Sequence, residues 1–130
     1  MRARSSARAA LLVVLGAVVA LRLAIIDVPL ERDEGEFAYM GQLILRGETP
    51  YLAAANMKLP GAYYAYAAIL ALLGETPVAI RIGLLVVNLL AIVLVYRLGA
   101  VLLDEIAGAT AAMAYAVLSL DPSVLGFTAK

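Results

Sequence analysis

Three long apolar runs and one polar stretch divide the chain. The first run covers residues 9–26, and the others cover residues 80–103 and 105–122. A helix rises 1.5 Å per residue, so the first two runs can cross a hydrocarbon core of about 30 Å, while the third is marginal in length. Arg22, near the far end of the first run, has a side chain long enough to reach the headgroups. The pattern predicts an all-α, polytopic membrane protein with three transmembrane helices.

The polar stretch, residues 27–79, contains an amphipathic helical pattern. Apolar residues recur there at helical spacing, which predicts a surface helix at about residues 33–46 lying on the membrane. The apolar stripe contains Phe37, Met40, Leu43 and Ile44. Asp33 suits the N-cap of this helix, and Arg46 followed by Gly47 suits its end.

A second apolar segment in the polar stretch lies between Pro60 and Gly74. It is too short for a typical span, and tyrosines favour the headgroup level of a membrane. We therefore predict a second interfacial helix at about residues 61–74, with a short spanning helix as the alternative. The predicted interface anchors are Tyr39, Tyr63, Tyr64 and Tyr66. Three glycines are predicted to be helix-packing positions: Gly41, Gly83 and Gly99.

The arginines at the N-terminus predict the orientation. Arg2, Arg4 and Arg8 place residues 1–8 as a cytoplasmic tail, because basic residues favour the cytoplasmic side. Residues 27–79 then form an outer loop. Three spans also place Arg97 inside, whereas four would place it outside. The alternative for the first run is a cleaved signal peptide, although no small-x-small cleavage pattern stands near its end.

Composition narrows the chemistry. Of the 130 residues, 65% are hydrophobic and 15% are charged, against about 25% charged in soluble domains. The net charge is zero, so no overall basic field indicates nucleic acid. The chain has no cysteine and no histidine, which excludes disulfides, zinc-finger ligand sets and Cys or His nucleophile pairs. No phosphate-binding Gly-rich loop, dinucleotide fingerprint or HExxH occurs.

Four acids lie immediately outside the first predicted span. They are Glu31, Asp33, Glu34 and Glu36. One interpretation is a general base or a carboxylate set that suits magnesium or manganese. The alternative is an N-cap with favourable first-turn charge, which also adds solubility.

Two cations are candidates for meeting a phosphate. Lys58 precedes Pro60, which suits the first turn of a helix, and Arg81 begins the second predicted span. A phosphate leaving group needs positive charge, which either residue supplies if it faces outward. The alternative for both is anchoring at the membrane interface.

The order and spacing of these features resemble the C-type membrane glycosyltransferases, especially the branch with protein O-mannosyltransferases and the aminoarabinose transferase of lipid A. The resemblance extends from about residue 12 to residue 130. The matching segments are residues 33–39, 46–51, 58–63, 79–82 and 96–99. The single proline at Pro60, instead of a pair, departs from the pattern of one branch.

The resemblance implies a catalytic carboxylate at Asp33, with Glu34 as the second member of an acidic dyad. Lys58 corresponds to a residue near the active site, and we add Glu36 and Arg81 as predicted substrate-binding residues. The implied reaction is inverting transfer of a sugar from a polyprenyl-phosphate donor to a protein or glycolipid acceptor, on the extracytoplasmic side. Metal use varies among branches, so a divalent cation is left open.

Family members are several times longer, with many more spans. The chain stops at residues 127–130 without a closing element, so we expect an N-terminal fragment that is inactive alone. The alternative is a non-enzymatic small membrane protein, such as an assembly partner or a transporter piece.

Overall fold

The computed structural model describes residues 2–52 and 58–120, and this part of the chain forms five α-helices and no strand. The all-α prediction is therefore confirmed. The helices are α1 (Arg2–Ala24), α2 (Arg32–Leu45), α3 (Pro60–Leu73), α4 (Pro77–Leu102) and α5 (Glu105–Leu118). They belong to two compact units, one of Met1–Ile25 with Leu85–Lys130 and one of Ile26–Leu84.

Two helical segments are long and apolar enough to cross a membrane, and they suggest membrane association. They are Ser6–Ala24 within α1 and Pro77–Leu102. The other apolar helices, α3 and α5, have 14 residues each, or about 21 Å, which is shorter than a hydrocarbon core. For the third predicted span, 105–122, the described helix ends at Leu118 and the last two positions lie outside the described residues.

In the first unit, α1 packs along α5. Leu11 and Val18 of α1 lie in one buried cluster with Ala112 and Ala116 of α5 and Ile92 of α4. The two residues that α1 contributes lie on one face of that helix, and so do the two alanines of α5. The alanines are fully buried, and their small side chains allow the helices to approach closely.

Two polar contacts fix the direction of α5 relative to α1. Arg8 Nη2 lies 2.7 Å from Glu105 Oε1, and Arg22 Nη2 donates to the carbonyl oxygen of Ser119 at 3.0 Å. Both pairs are separated by 97 positions along the chain, so α1 and α5 run parallel. Arg22 therefore satisfies a carbonyl at the C-terminal end of α5, where a cation is favourable.

Glycines bring α4 and α5 together. A Cβ on Gly99 would lie 2.7 Å from Gly108 Cα, and a Cβ on Gly108 would lie 2.6 Å from the backbone nitrogen of Ala100. Gly99 is thus confirmed as a packing position, and Gly108 is an additional one. The prediction is also confirmed for Gly41, which lies against the backbone of α3, and for Gly83, which lies against Ile69.

We expect Gly108→Ala to destabilise the protein by about 1–3 kcal/mol, because the added methyl meets backbone that has to move. Thermal unfolding in detergent, followed by circular dichroism, measures the effect. Gly16→Ala is the matched control in α1, since nothing lies within 4 Å of the added Cβ. It should leave the melting temperature unchanged or higher, and equal losses in both variants would contradict the packing argument.

In the second unit, α2 packs against α3. Met40 and Leu43 of α2 and Tyr63 of α3 form one buried cluster, with Phe37 partly buried beside it. The apolar stripe of α2 was predicted to rest on the membrane surface. That prediction is wrong for Met40 and Leu43, because α3 covers this face of the helix.

The ends of α2 follow local signals, with one correction. The N-cap is Glu31, not Asp33, so the helix begins at Arg32, two positions earlier than an Asp33 cap predicts, and Asp33 lies in its first turn. The C-terminal signal is confirmed, since Arg46 is the C-cap and Gly47 has φ +84°. A positive φ is readily available to glycine, which explains why the helix stops there.

The beginning of α3 is also as the sequence indicates. Pro60 occupies the first helical position, where its missing N–H costs no hydrogen bond. Gly74, with φ +96°, ends the helix. Lys58 therefore lies just before α3, and Arg81 lies in α4, the helix that follows α3.

Candidate active site

The first turn of α2 directs its acids toward two different basic residues. Asp33 meets Lys58, which precedes α3, and Glu34 meets Arg81 in the first turns of α4. Consecutive helical residues are about 100° apart around the axis, so neighbouring carboxylates reach different partners. All four charged groups belong to the unit formed by Ile26–Leu84.

Glu34 and Arg81 form a two-pronged ion pair. Arg81 Nη1 lies 3.3 Å from Glu34 Oε1, and Nη2 lies 3.2 Å from Oε2. The backbone N–H of Glu31 also donates to Oε2 at 3.2 Å. Since the side chains are only 16% and 10% exposed, this pair is well shielded from solvent. Both carboxylate oxygens of Glu34 are therefore engaged.

Arg81 also holds the segment that leads into α2. Its Nη2 donates to the carbonyl oxygens of Val28 at 3.3 Å and Pro29 at 3.0 Å. The predicted role of Arg81 was substrate binding. The contacts support a positioning role, because the guanidinium connects α4, the segment before α2 and the first turn of α2.

Asp33 and Lys58 form a more open pair. Lys58 Nζ lies 3.0 Å from Asp33 Oδ2, and the side chains are 35% and 64% exposed. The hydrogen bond to Asp33 raises the pKa of the Lys58 ammonium, although partial burial opposes the change. Nζ also lies 4.5 Å from the centre of the Phe37 ring, a favourable cation–π distance. This carboxylate remains accessible to a solute.

Tyr51 fixes the backbone at Lys58. Its hydroxyl donates to the carbonyl oxygen of Lys58 at 2.6 Å, and its ring lies edge-on to Tyr63 at 5.8 Å between centroids. Tyr51 has φ +72°, a conformation that costs a non-glycine residue on the order of 1–3 kcal/mol. The hydrogen bond and ring contact offset this cost and hold Lys58 opposite Asp33.

Two buried polar atoms beside this pair lack partners. Within residues 2–52 and 58–120, neither Glu36 Oε1 nor the Tyr63 hydroxyl makes a hydrogen bond. Burial raises the pKa of Tyr63, and Tyr51 and Glu36 add to the effect. The phenol therefore stays protonated as a donor, while Glu36 offers an acceptor. Leaving such atoms unsatisfied costs about 1–3 kcal/mol each, so a bound polar group would be favoured here.

The tyrosines of α3 differ from the interface anchors that the sequence suggested. Tyr63 is fully buried and Tyr66 is 7% exposed, which contradicts that prediction, whereas Tyr39 and Tyr64 are exposed. Burial, followed by the nearby Glu34 charge, raises the pKa of Tyr66 to about 12. The signal was available, since Tyr63, Tyr66 and Leu70 are spaced along one helix face.

The described residues identify no metal site, and comparison with known proteins identifies no family. Among the described residues, no three His, Cys, Asp or Glu side chains converge as a metal site. Comparison of the chain with models of protein families, with curated proteins and with solved structures gave no match. The proposed function therefore depends on the geometry of Asp33 and its neighbours and on the resemblance described above.

Proposed function

We propose that this chain is part of a membrane glycosyltransferase that transfers a sugar from a polyprenyl-phosphate donor to an acceptor on the extracytoplasmic side. The observation that carries the proposal is Asp33, an accessible carboxylate held 3.0 Å from Lys58 in the first turn of α2. A carboxylate beside a cation provides the two charges that such a transfer requires. In the family that the sequence resembles, the remaining parts of the site come from segments beyond the described helices.

In the proposed reaction, Asp33 accepts the proton of an acceptor hydroxyl or amine. The acceptor atom then bonds to the anomeric carbon of the sugar, and the bond from that carbon to the phosphate oxygen breaks. The lipid phosphate leaves with the bonding electrons. Lys58 stabilises its charge, and its raised pKa keeps the ammonium protonated at neutral pH.

The two members of the acidic dyad have different roles in this proposal. Glu34 has both oxygens engaged by Arg81 and the Glu31 N–H, so it orients the first turn of α2. Asp33 has one carboxylate oxygen on Lys58 and a largely exposed side chain, which suits a base. Glu36 Oε1 and the Tyr63 hydroxyl, which have no hydrogen-bond partner among the described residues, supply an acceptor and a donor for polar groups of the substrate.

The polytopic arrangement is part of the proposal, with α1, α4 and α5 as three crossings and α2 and α3 on the outer side. The parallel direction of α1 and α5 supports three crossings. An odd number of crossings from the first to the last makes these helices parallel. If α3 also crossed, α5 would be the fourth crossing and would run opposite to α1.

Cysteine accessibility tests this arrangement, and the chain has no native cysteine to interfere. Single cysteines are introduced at the exposed positions Glu48, Glu75 and Leu103 and labelled in intact cells with a membrane-impermeant maleimide. We expect labelling of the first two and protection of the third. Labelling after detergent permeabilisation is the control for reactivity at Leu103.

The alternative patterns are equally informative. Protection of Glu75 together with labelling of Leu103 would show that α3 crosses the membrane. Protection of Glu48 would place the loop with Asp33 in the cytoplasm and would contradict the proposed enzyme class. The non-enzymatic alternative would then be favoured.

A further inference from the structure

A cavity in the first unit is separate from the site around Asp33. It has a volume of about 610 Å³ and lies where the beginning of α1 meets the end of α4 and the beginning of α5. Its lining includes Arg8, Leu11, Leu12, Arg97, Val101 and Glu105. The cavity thus combines two guanidinium groups with apolar walls.

Of the two arginines that line the cavity, one is available to bind a ligand. Arg8 is held by Glu105 at 2.7 Å. Arg97 is exposed and makes no hydrogen bond or ion pair within the part of the chain that the structure describes. The three charged side chains sum to one positive charge, so the cavity is suited to a group with one negative charge.

The position of the cavity along the helices gives its depth. Arg8 stands near the beginning of the apolar segment Ser6–Ala24, and Arg97 stands near the end of Pro77–Leu102. Both cations thus lie near one end of a segment able to cross a membrane, at headgroup level. Leu12, which is 68% exposed, stands one turn beyond Arg8 toward the centre of its segment and continues the apolar surface from the cavity toward the hydrocarbon.

We propose that this cavity binds the headgroup of an anionic phospholipid. Arg97 and Arg8 contact the phosphate, while Leu12 contacts the first carbons of an acyl chain. A phosphate with one net charge matches the net charge of the cavity, and its attached chains match the exposed apolar walls. The inference depends on membrane insertion of α1 and α4 but not on glycosyl transfer.

The test uses the full chain in nanodiscs that contain equal amounts of phosphatidylglycerol and phosphatidylcholine. Native mass spectrometry of the released protein gives the ratio of the two lipids that remain bound. A surface-level cation contributes about 1 kcal/mol toward an anionic lipid, so Arg97→Gln should reduce this ratio about fivefold. Arg97→Lys keeps the charge and should retain most of the preference.

Arg46→Gln is the control for a general effect of net charge, because Arg46 is an exposed C-cap residue in the other unit. Circular dichroism establishes that each variant keeps its helix content. An unchanged ratio in Arg97→Gln, or an equal loss in Arg46→Gln, would overturn the proposal. Displacement of phosphatidylglycerol by added inorganic phosphate would also overturn it, since a free phosphate would then be the preferred ligand.

Discussion

Asp33→Asn is expected to lower the rate of sugar transfer by about 10²–10⁴-fold, the usual contribution of a general base. Asparagine keeps the shape of the side chain but cannot accept the proton of the acceptor. Transfer of radiolabelled sugar from a synthetic polyprenyl-phosphate donor, in membranes that contain the complete enzyme, measures the effect. The loss should fall mainly on kcat, since donor binding does not require the charge of Asp33.

Asp27→Asn is the matched control for this variant. Asp27 is exposed, lies in the segment before α2 and undergoes the same chemical change as Asp33. It should retain wild-type transfer. Lys58→Met removes the cation of the ion pair but leaves the Asp33 carboxylate. This variant should weaken use of the polyprenyl-phosphate donor more than it alters the pH dependence of the transfer rate. Wild-type transfer by Asp33→Asn would eliminate Asp33 as the base.

Arg81→Met should destabilise the protein by about 3 kcal/mol, because it leaves Glu34 as a shielded carboxylate without its counter-ion. The variant also removes the donors to Val28 and Pro29. A lower melting temperature in detergent measures this loss. The segment before α2 should become more sensitive to protease, since Arg81 holds its carbonyls in place.

The ion pair can be separated from a general loss of charge by two further variants. Arg46→Met removes an exposed arginine from the end of α2 and should have little effect. Glu34→Gln combined with Arg81→Met should be more stable than Arg81→Met alone, because the uncompensated charge is then absent. If the loss of stability in the double variant equals the sum of the losses in Glu34→Gln and Arg81→Met, Glu34 and Arg81 are not coupled.

The helix boundaries around the site depend on local signals that are visible in the sequence. Gly47 and Gly74 adopt positive φ, and Pro60 begins α3, so each signal acts through the backbone of its own residue. The N-cap of α2 was misplaced because several adjacent acids suit that role. The hydrogen bond from the Glu31 N–H to Glu34 decides between them, and it depends on side-chain geometry.

The candidate site was only partly predictable, since its partners are distant in sequence. Asp33 and Lys58 are 25 positions apart, and Glu34 and Arg81 are 47 positions apart. Charge type identified each residue as a candidate but did not indicate which acid pairs with which base. The packing of α2 on α3 fixes those pairs, and the same packing buries Tyr63 and Tyr66, which composition alone assigned to a membrane interface.

The packing of α1 also bears on the signal-peptide alternative. Leu11 and Val18 are buried with residues of α4 and α5, so α1 contributes directly to the core of the first unit. Cleavage after α1 would remove one side of that core. Release of α1 as a signal peptide would leave Ile92, Ala112 and Ala116 without these contacts.

The separation of 97 positions between Arg8 and Glu105 has a consequence for biosynthesis. A ribosome that adds about 5–20 residues per second needs about 5–20 seconds to extend the chain from one to the other. During that interval α1 has been synthesised but α5 has not, so Leu11 and Val18 cannot yet pack against Ala112 and Ala116. The first unit therefore assembles only after α5 has been synthesised.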